Sequence, residues 1–379
     1  MACGSFGTES GTPAPVDAGT SSDAPTPPCD LAKTDSDPDH CGSCGHSCLG
    51  GGCSAGKCQP ILIGADPAQA IFSVAVSDRH VVWMTTTAAN GNGAGSLAIC
   101  PKEGCGAAGP KVLAQRNAGN VAADGANIYA SFPYQSPHVA TVAPIGVSEI
   151  STLAKYRVPL WLIARDGALF VNAFYGSDAG AHSRTIIRYT EQEGPREIGT
   201  YVSPPNEVHN TGPTAVTKDR VFLGAYNTGV ILSCALSACS SWDTFRKNDD
   251  AYVVSIATND ERLFWVGINA KLSSCSAKQS PCTELSEDLS PADVGAGIAH
   301  VAYGRGLLVV GTDRGELYAC DPMDCRRTRR LVVQEPALEK RFILDGNNIV
   351  VDADAIYYVA RDVGGDGGGG VSRLMKVAR

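Results

Sequence analysis

The chain has 379 residues, of which 44% are hydrophobic and 18% charged, and its formal net charge at pH 7 is −8. This length exceeds that of one small domain, and the acidic balance argues against nucleic acid as a partner. No segment approaches 18 consecutive apolar residues, so the sequence predicts no membrane-spanning helix.

The first 28 residues are dominated by Ser, Thr, Pro, Gly and Ala. Such a composition cannot bury a core, so residues 1–28 are predicted to be a flexible tether. Cys3 follows the small residue Ala2. In bacterial lipoproteins the lipid-modified cysteine that begins the mature protein is likewise preceded by small residues. No apolar signal precedes it, so we expect the sequence to start at the mature terminus, with Met1 added or retained. The alternative is that Cys3 is an unmodified thiol.

Residues 29–58 form a second region, which is rich in cysteine. Its six cysteines are Cys29, Cys41, Cys44, Cys48, Cys53 and Cys58. The Cys41-x2-Cys44 spacing, with two histidines nearby, is compatible with a zinc site. Three disulfides around a core too small to be stable alone are the second interpretation. The cysteines of the following region indicate an oxidising compartment, so we predict disulfides and no metal site.

The remaining residues, 59–379, carry a repeated motif: an apolar run, a polar turn, and an apolar run rich in aromatic and β-branched residues. The seven copies are Phe72–Trp83, Val121–Tyr129, Leu162–Phe170, Ala215–Phe222, Val254–Trp265, Ile298–Val309 and Ile349–Tyr358. Their turn residues Asp78, Asp124, Asp166, Asp219, Asp260, Gly304 and Asp354 are 41 to 53 residues apart. Four-stranded repeats of this length are typical of propeller blades. We therefore predict an all-β, seven-bladed β-propeller with almost no helix.

The seventh repeat lacks an outer strand, because the chain ends at Arg379 soon after the predicted strand Ser372–Val377. An unmatched apolar segment, Pro60-Ile-Leu-Ile-Gly64, precedes the first repeat. We predict that this strand, 60–64, pairs with Ser372–Val377 and closes the ring, since an open ring leaves exposed strand edges. The alternative is that it packs under the ring as a loop.

Eight cysteines form four local pairs within the repeats: Cys100/Cys105, Cys234/Cys239, Cys275/Cys282 and Cys320/Cys325. Each pair falls in the predicted turn between the third and fourth strands of a blade. This repeated placement favours disulfides formed in an oxidising compartment. Each is expected to contribute about 2 kcal/mol. Blades two, three and seven lack the pair, so the disulfide is an addition to the blade design.

The run Asp37-Pro-Asp-His-Cys-Gly-Ser-Cys-Gly-His-Ser-Cys48 resembles the Cys-rich module of many secreted myxobacterial proteins, and it is similar to the Stig1-like cysteine-rich domain. The resemblance covers Cys29–Cys58. With the propeller behind it, the whole chain resembles the surface lipoproteins of myxobacteria. The resemblance implies a location at the cell surface and no particular activity.

We recognise no convincing catalytic set, and we predict neither catalytic residues nor a cofactor. The repeated Asp residues are interpreted as turn residues, His300 as a structural histidine, and Arg326–Arg330 as a solvated turn. Long loops on one face of the ring carry function more often than strands do. The long loops of blades two to four carry the candidate ligand-binding residues, which are Tyr134, Tyr175, Asp178, His182, Asn206, Glu207 and His209.

Two classes of function remain open. The favoured one is a secreted or surface-anchored, non-enzymatic propeller that binds a protein, peptide or glycan. Its only membrane contact would be a lipid on Cys3, at the outer membrane surface or facing the periplasm. The alternative is a secreted propeller enzyme, a lyase or glycosidase, with its site at the channel mouth. A glycosidase would need two carboxyl groups roughly 5–10 Å apart, and the predicted inner strands offer few candidates.

Overall fold

The structure is a computed structural model that describes residues 29–66, 69–87, 94–117, 119–132, 139–142, 147–150, 158–176, 182–203, 211–225, 228–247, 252–334, 348–361 and 371–379. These residues form seven four-stranded antiparallel sheets and one two-stranded hairpin. Helix within the same ranges is limited to single turns at Leu31–Lys33, Gly106–Ala108, Pro291–Val294 and Cys325–Thr328. The predicted seven-bladed β-propeller is confirmed.

A hairpin and one further strand precede blade 1 in the chain. Within each of blades 1 to 3 the four strands follow one another from the inner to the outer edge. The hairpin is β1 (Cys53–Ser54) and β2 (Lys57–Cys58), and β3 is Ile61–Asp66. Blade 1 is β4 (Ala70–Val76), β5 (His80–Thr86), β6 (Ala94–Pro101) and β7 (Lys111–Asn117). Blade 2 is β8 (Val121–Asp124), β9 (Asn127–Ser131), β10 (Val139–Val142) and β11 (Val147–Glu149). Blade 3 is β12 (Val158–Arg165), β13 (Ala168–Gly176), β14 (His182–Thr190) and β15 (Gly194–Val202).

The other four blades repeat the same order. Blade 4 is β16 (Thr211–Val216), β17 (Arg220–Ala225), β18 (Val230–Ala235) and β19 (Asp243–Lys247). Blade 5 is β20 (Val253–Thr258), β21 (Arg262–Gly267), β22 (Leu272–Ser276) and β23 (Ser286–Leu289). Blade 6 is β24 (Ile298–Gly304), β25 (Leu307–Thr312), β26 (Glu316–Cys320) and β27 (Arg330–Gln334). Blade 7 is β28 (Ile349–Val351), β29 (Ala355–Arg361), β30 (Ser372–Ala378) and then β3.

The ring is closed by the pairing of β3 with β30, in which Leu62 lies opposite Met375 and Ala65 opposite Arg373. Ile63 of β3 is almost fully buried, in a cluster that contains Trp83 of blade 1 and Tyr357 of blade 7. The predicted closure is therefore confirmed, and the first strand of the propeller joins blade 7 to blade 1.

The apolar core lies between the blades. It divides into seven clusters, and each joins residues of two consecutive blades. The second strands are buried along almost their whole length, as in β5, because they are covered by blades on both faces. The outer strand β7, in contrast, has no buried residue. This burial gradient explains why the second strands read as continuous apolar runs in the sequence.

All fourteen cysteines of the described residues are paired in disulfides. The bridges are Cys29–Cys44, Cys41–Cys53, Cys48–Cys58, Cys100–Cys105, Cys234–Cys239, Cys275–Cys282 and Cys320–Cys325. The Sγ atoms of Cys41, Cys48 and Cys53 lie within 4.8 Å of one another, where two of these bridges pack together. So many bridges indicate an oxidising, extracellular or periplasmic compartment.

The disulfide-bearing turns, which we call clips, pack on the outer strand of the preceding blade. In blade 5, the backbone N–H of Cys282 donates to the carbonyl of Phe245 in β19 at 2.7 Å. In blade 4, Cys239 lies directly against Gly199 of β15, where a Cβ atom would meet its backbone oxygen and Sγ. Gly199 is therefore required by a close approach between blades and not by a turn.

The clips of blades 1 and 6 make the same kind of contact. Cys105 Sγ of blade 1 lies 3.7 Å from the position that a Cβ would take at Gly64 of β3, in blade 7. In blade 6, Arg326 Nη2 lies 3.9 Å from Glu287, which is in β23 of blade 5. It also lies 3.2 Å from Asp293, which follows that strand. Each clip thus fastens two blades as well as bracing its own turn.

The Cys-rich region 29–58 occupies the place of the missing clip of blade 7. Its last residue lies just before β3, the outer strand of that blade, and its cysteines Cys41, Cys48 and Cys58 pack in one cluster with Leu317 and Val333 of blade 6. Five junctions between blades are therefore clipped: 3/4, 4/5, 5/6, 6/7 and 7/1. The junctions 1/2 and 2/3 are unclipped.

Candidate functional site

The two faces of the ring carry different connections. We call the upper face the one with the connections from blade to blade and from second to third strand, and the lower face the one with the other turns. Of the predicted ligand-binding residues, Tyr134, Asp178, Asn206, Glu207 and His209 lie outside the described residues, as does Cys3. The backbones of Tyr175 and His182 pair with Ser183 and Gly176 at the ends of β13 and β14, which places both residues at the upper edge of blade 3.

A central chamber opens at the lower face and has a volume of about 610 Å³. Its wall is formed by the inner strands of all seven blades. Many of the apolar side chains of these strands, such as those of Val121 and Leu162, are buried between blades, so the exposed wall is more polar than apolar. Ligand pockets commonly have volumes of roughly 300–1,000 Å³, so the chamber is large enough for a small ligand. Its rim is formed by the first turns of the blades, where the repeated Asp residues lie.

The rim Asp residues do more than form turns, because their side chains also join neighbouring blades. Asp124 Oδ2 of blade 2 accepts a hydrogen bond from the backbone N–H of Gly167 in blade 3, at 2.6 Å. Asp260 Oδ1 of blade 5 accepts one from the backbone N–H of Lys218 in blade 4, at 3.0 Å. The interpretation as turn residues is thus incomplete: these two carboxylates also bind a backbone amide in the turn of a neighbouring blade.

Arg165, at the end of β12, spans three blades at the rim. Its Nε lies 2.9 Å from Asp166, its Nη1 donates to the carbonyl of Val216 in blade 4 at 2.7 Å, and its Nη2 pairs with Asp260 in blade 5. Desolvation raises the pKa of Asp260, but the hydrogen bonds from Arg165 and from the Lys218 amide outweigh it and hold that pKa below 3.8. The pair is therefore ionised, and both residues line the chamber near its rim.

A second, much smaller void of about 30 Å³ lies at the upper end of the channel. It is lined by Trp161 of blade 3 and by residues of blades 4 to 7, including Thr214, Ser255 and His300. A void of this size holds about one water molecule, and the partly exposed His300 borders it. Burial lowers the pKa of His300 to about 4. The ring is therefore neutral at neutral pH, and its structural role stays a prediction.

The Arg326–Arg330 run forms part of the blade 6 clip. Arg326 is paired with Asp293 and Glu287, and the side chain of Arg329 donates to the carbonyl of Arg326. The hydrogen bonds from Ser290, above all, lower the pKa of Asp293 below 3.8, and Arg326 favours the same charged state. This basic run is therefore partly neutralised by its own neighbours.

One catalytic pattern is present but has the wrong structural context. Gly52-Cys53-Ser54-Ala55-Gly56 matches the pattern Gly-x-Ser-x-Gly. In a nucleophile elbow the serine lies between a strand and a helix. Here Ser54 pairs with Lys57 in the hairpin β1–β2, and its neighbour Cys53 is in a disulfide. The match is therefore coincidental.

No protein-family model matches the chain, and neither does any curated protein. Among solved structures, YCF48 bound to D1 peptide is similar to it, with a TM-score of 0.56 and 14% identity over 85% of this chain and 94% of that one. The computationally designed Ika8 protein (TM-score 0.49, 10% identity, 85% and 100% covered) and BamB from Moraxella catarrhalis (0.46, 10%, 84% and 96%) also match. At such identities the likeness to YCF48 shows the fold, a β-propeller, and nothing finer. Within the described residues no helix is long and apolar enough to cross a bilayer.

Proposed function

We propose that the protein is a lipid-anchored surface β-propeller that binds a protein, peptide or glycan and catalyses no reaction. The observation that carries the proposal is the distribution of the clips. Five junctions are fastened by disulfide-bearing turns or by the Cys-rich region, whereas junctions 1/2 and 2/3 are unclipped. The sequence assigns the candidate binding residues to loops of blades 2 to 4, an arc that includes the unclipped junction 2/3 and the clipped junction 3/4.

The positions of the disulfide-bearing turns support binding on the upper face, because these turns brace the lower face and leave the length and sequence of the upper loops unconstrained. Binding residues are often placed on loops that a rigid scaffold positions. Here Tyr175 and His182 lie at the upper edge of blade 3. In the complex of YCF48 with D1 peptide, a propeller of related fold carries a peptide. That complex is a precedent for the class of partner and does not identify the partner of this chain.

The proposed location rests on the sequence and on the oxidising environment. Residues 1–28 have the composition of a tether, Cys3 is the proposed lipid site, and the chain resembles myxobacterial surface lipoproteins. One acyl chain holds a protein weakly, whereas several hold it stably. A multiply acylated Cys3 would keep the propeller at the membrane while the tether allows it to reach a partner.

Membrane fractionation of the protein expressed with its native signal tests the anchor. We expect wild type in the membrane fraction, Cys3→Ser in the soluble fraction, and the control Ser5→Ala with wild type. Wild-type protein in the soluble fraction, or unchanged fractionation of Cys3→Ser, would disprove the lipid anchor.

Glycan and peptide arrays probed with the purified protein test the binding surface. We expect saturable binding that Tyr134→Ala and His209→Ala each weaken by roughly tenfold, since each removes one aromatic or polar anchor. Gln192→Ala, in the exposed lower turn of blade 3, is the matched control and should bind as wild type does.

The same arrays separate binding from the enzyme alternative. A bound glycan or peptide should remain intact, as measured by mass spectrometry after prolonged incubation. Cleavage that is lost in Glu207→Gln or His209→Ala would instead establish a lyase or hydrolase at the upper face.

A further inference from the structure

The outer strand β7 of blade 1 differs from the other outer strands in what covers it. The strands β15, β19, β23, β27 and β3 each pack against a clip or against the Cys-rich region. Each also has at least one buried residue, such as Phe245 in β19 and Val333 in β27. None of the seven residues of β7 is buried. Within the described part of the chain β7 pairs only with β6, so no strand lies beside its outer edge.

The length of the facing turn explains why β7 is uncovered. The clip that would cover it belongs to blade 2, where residues 143–146 alone connect β10 to β11. The clipped turns are longer, for example residues 102–110 in blade 1 and 321–329 in blade 6. A hairpin loop commonly takes roughly 2–5 residues, so the connection in blade 2 has none left to form a clip. Strand β11 at junction 2/3 is unclipped too, but it has only 3 residues.

An uncovered edge strand presents a row of backbone N–H and C=O groups that can pair with another extended chain. In β7 a bulge lies between Val112 and Ala114, and such a bulge twists the edge. The covered outer strands have a bulge in the same pairing. The bulge is therefore part of the common blade design and does not replace the missing clip. Val112, with 50% of its surface exposed, adds an apolar contact to this edge.

The charge of β7 indicates what kind of strand it favours. It contains two basic residues, Lys111 and Arg116, and no acidic one. The guanidinium of Arg116 lies 5.4 Å from the ring centroid of Phe132 in blade 2, which holds this charge beside the strand. Opposite charges on neighbouring strands stabilise their pairing, and like charges oppose it. An acidic strand therefore fits this edge better than a second copy of β7.

We propose that β7 binds an extended, acidic segment of a partner polypeptide, which adds to blade 1 as a fifth strand. The backbone supplies the hydrogen bonds, Val112 an apolar contact, and Lys111 and Arg116 the preference for acidic residues. A polypeptide strand repeats its donors and acceptors at the spacing of β7, and a glycan does not, so the edge selects a peptide. This edge lies on the outer side of the ring, so the proposal does not depend on the upper-face partner surface.

Titration of the full chain with a strand-forming peptide tests the edge. The probe is acetyl-Glu-Val-Thr-Val-Thr-Val-Glu-amide, which is rich in β-formers and has the same charge at both ends, whichever way it runs. We expect saturable binding by isothermal titration calorimetry. Proline in place of the central valine should weaken it at least roughly tenfold, because proline removes an N–H and is excluded from paired strands. On binding, hydrogen exchange should slow in residues 111–117 and not in residues 194–202 of the covered strand β15.

A charge exchange places the peptide on β7. A second probe has lysine in place of both glutamates, and wild type should bind it roughly fivefold more weakly than the first. Lys111→Glu should weaken the acidic probe and strengthen the basic one by similar factors.

Val112→Asn has a matched control on a covered strand. It removes the apolar contact and lowers the β-propensity of the edge, so it should weaken the acidic probe several-fold. Val202→Asn makes the same change at a residue of β15 that is 55% exposed, and it should bind the probe as wild type does.

The absence of saturable binding up to about 1 mM, equal binding of the proline peptide, or slowed exchange only outside β7 would overturn the proposal. Self-association of the free chain that Val112→Asn abolishes, measured by analytical ultracentrifugation, would assign the edge to a second copy and also contradict it. Because the proposed partner surface is on the upper face, Tyr134→Ala and His209→Ala should leave probe binding unchanged. The two proposals can therefore fail separately.

Discussion

The clipped and unclipped junctions fasten similar blades in different ways. At junction 3/4, Cys239 presses on Gly199, and the rings of Tyr201 and Trp242 meet edge to face at 6.1 Å. At junction 1/2, the contacts lie further in: the N–H of Val121 donates to Ser73 Oγ at 3.2 Å. The outer strand there, β7, has no buried residue. The clips therefore cover the outer strands of the blades. The inner strands contact each other directly from blade to blade.

The difference between the two kinds of junction indicates that the clipped junctions are the more rigid ones. A short disulfide loop adds stability mainly by restricting the unfolded chain, but a clip that also touches the preceding blade transmits that restriction across a junction. Blades 2 and 3 depend instead on their apolar clusters and on rim contacts such as Asp124 with Gly167. The predictions below test this comparison, from the largest expected effect to the smallest.

The comparison is tested most directly by matched truncations on two outer strands. Ile63 of β3 is 3% exposed beneath the blade 1 clip, whereas Val112 of β7 is 50% exposed at an unclipped junction. Ile63→Ala should lower the free energy of unfolding by about 4 kcal/mol, because it leaves a cavity. Val112→Ala should change it by less than about 0.5 kcal/mol. Similar losses for the two variants, measured by chemical denaturation, would contradict the distinction.

His300, in the clipped part of the ring, predicts a pH dependence. Burial lowers its pKa from 6.5 to about 4, so the unfolded chain binds a proton before the folded protein does. Stability should fall as the pH drops from about 6.5 to 4, by about 3 kcal/mol for this residue at pH 4. His300→Gln lacks this contribution, so the difference from wild type should depend on pH. A difference independent of pH between 4 and 7 would show that His300 is solvated.

Removal of one clip tests whether it protects the preceding blade. The double variant Cys234→Ser/Cys239→Ser should lose about 2 kcal/mol of stability. Hydrogen exchange should become faster in β15 of blade 3 as well as in blade 4, because the clip covers β15. Exchange in β7 should not change. Faster exchange confined to blade 4 would mean that the clip braces only its own turn.

The rim pair Arg165 and Asp260 should have the smallest effect. It links blade 3 to blade 5, and both side chains are partly buried, at 22% and 28% exposure. A double-mutant cycle with Arg165→Gln and Asp260→Asn should give a coupling of about 1 kcal/mol. Since the pKa of Asp260 is lowered, that coupling should be present above pH 3.8 and disappear as the carboxylate is protonated below it. Zero coupling at pH 7 would show that the ion pair does not stabilise the ring.

Much of the fold could be predicted from local patterns. The seven turns, the pairing of Pro60–Gly64 with Ser372–Val377 and the four blade disulfides all involve short hairpins or one unmatched strand. The residues of the candidate site were harder to predict. Trp161, which lies at the upper end of the channel, has no sequence motif. Arg165 and Asp260 are 95 residues apart.

The sequence by itself determined the number of blades, their order and the strand that closes the ring, because each blade is a local meander whose hydrophobic pattern repeats. It also paired the blade cysteines, which are only 5 or 7 residues apart. Only the tertiary structure decided how six cysteines join in the Cys-rich region, since six allow 15 connectivities. It alone decided that this region serves as the seventh blade's clip, that each clip covers the preceding blade, and that Asp124 and Arg305 face one chamber. Those contacts join distant repeats and depend on the angle between successive blades, which no local pattern encodes.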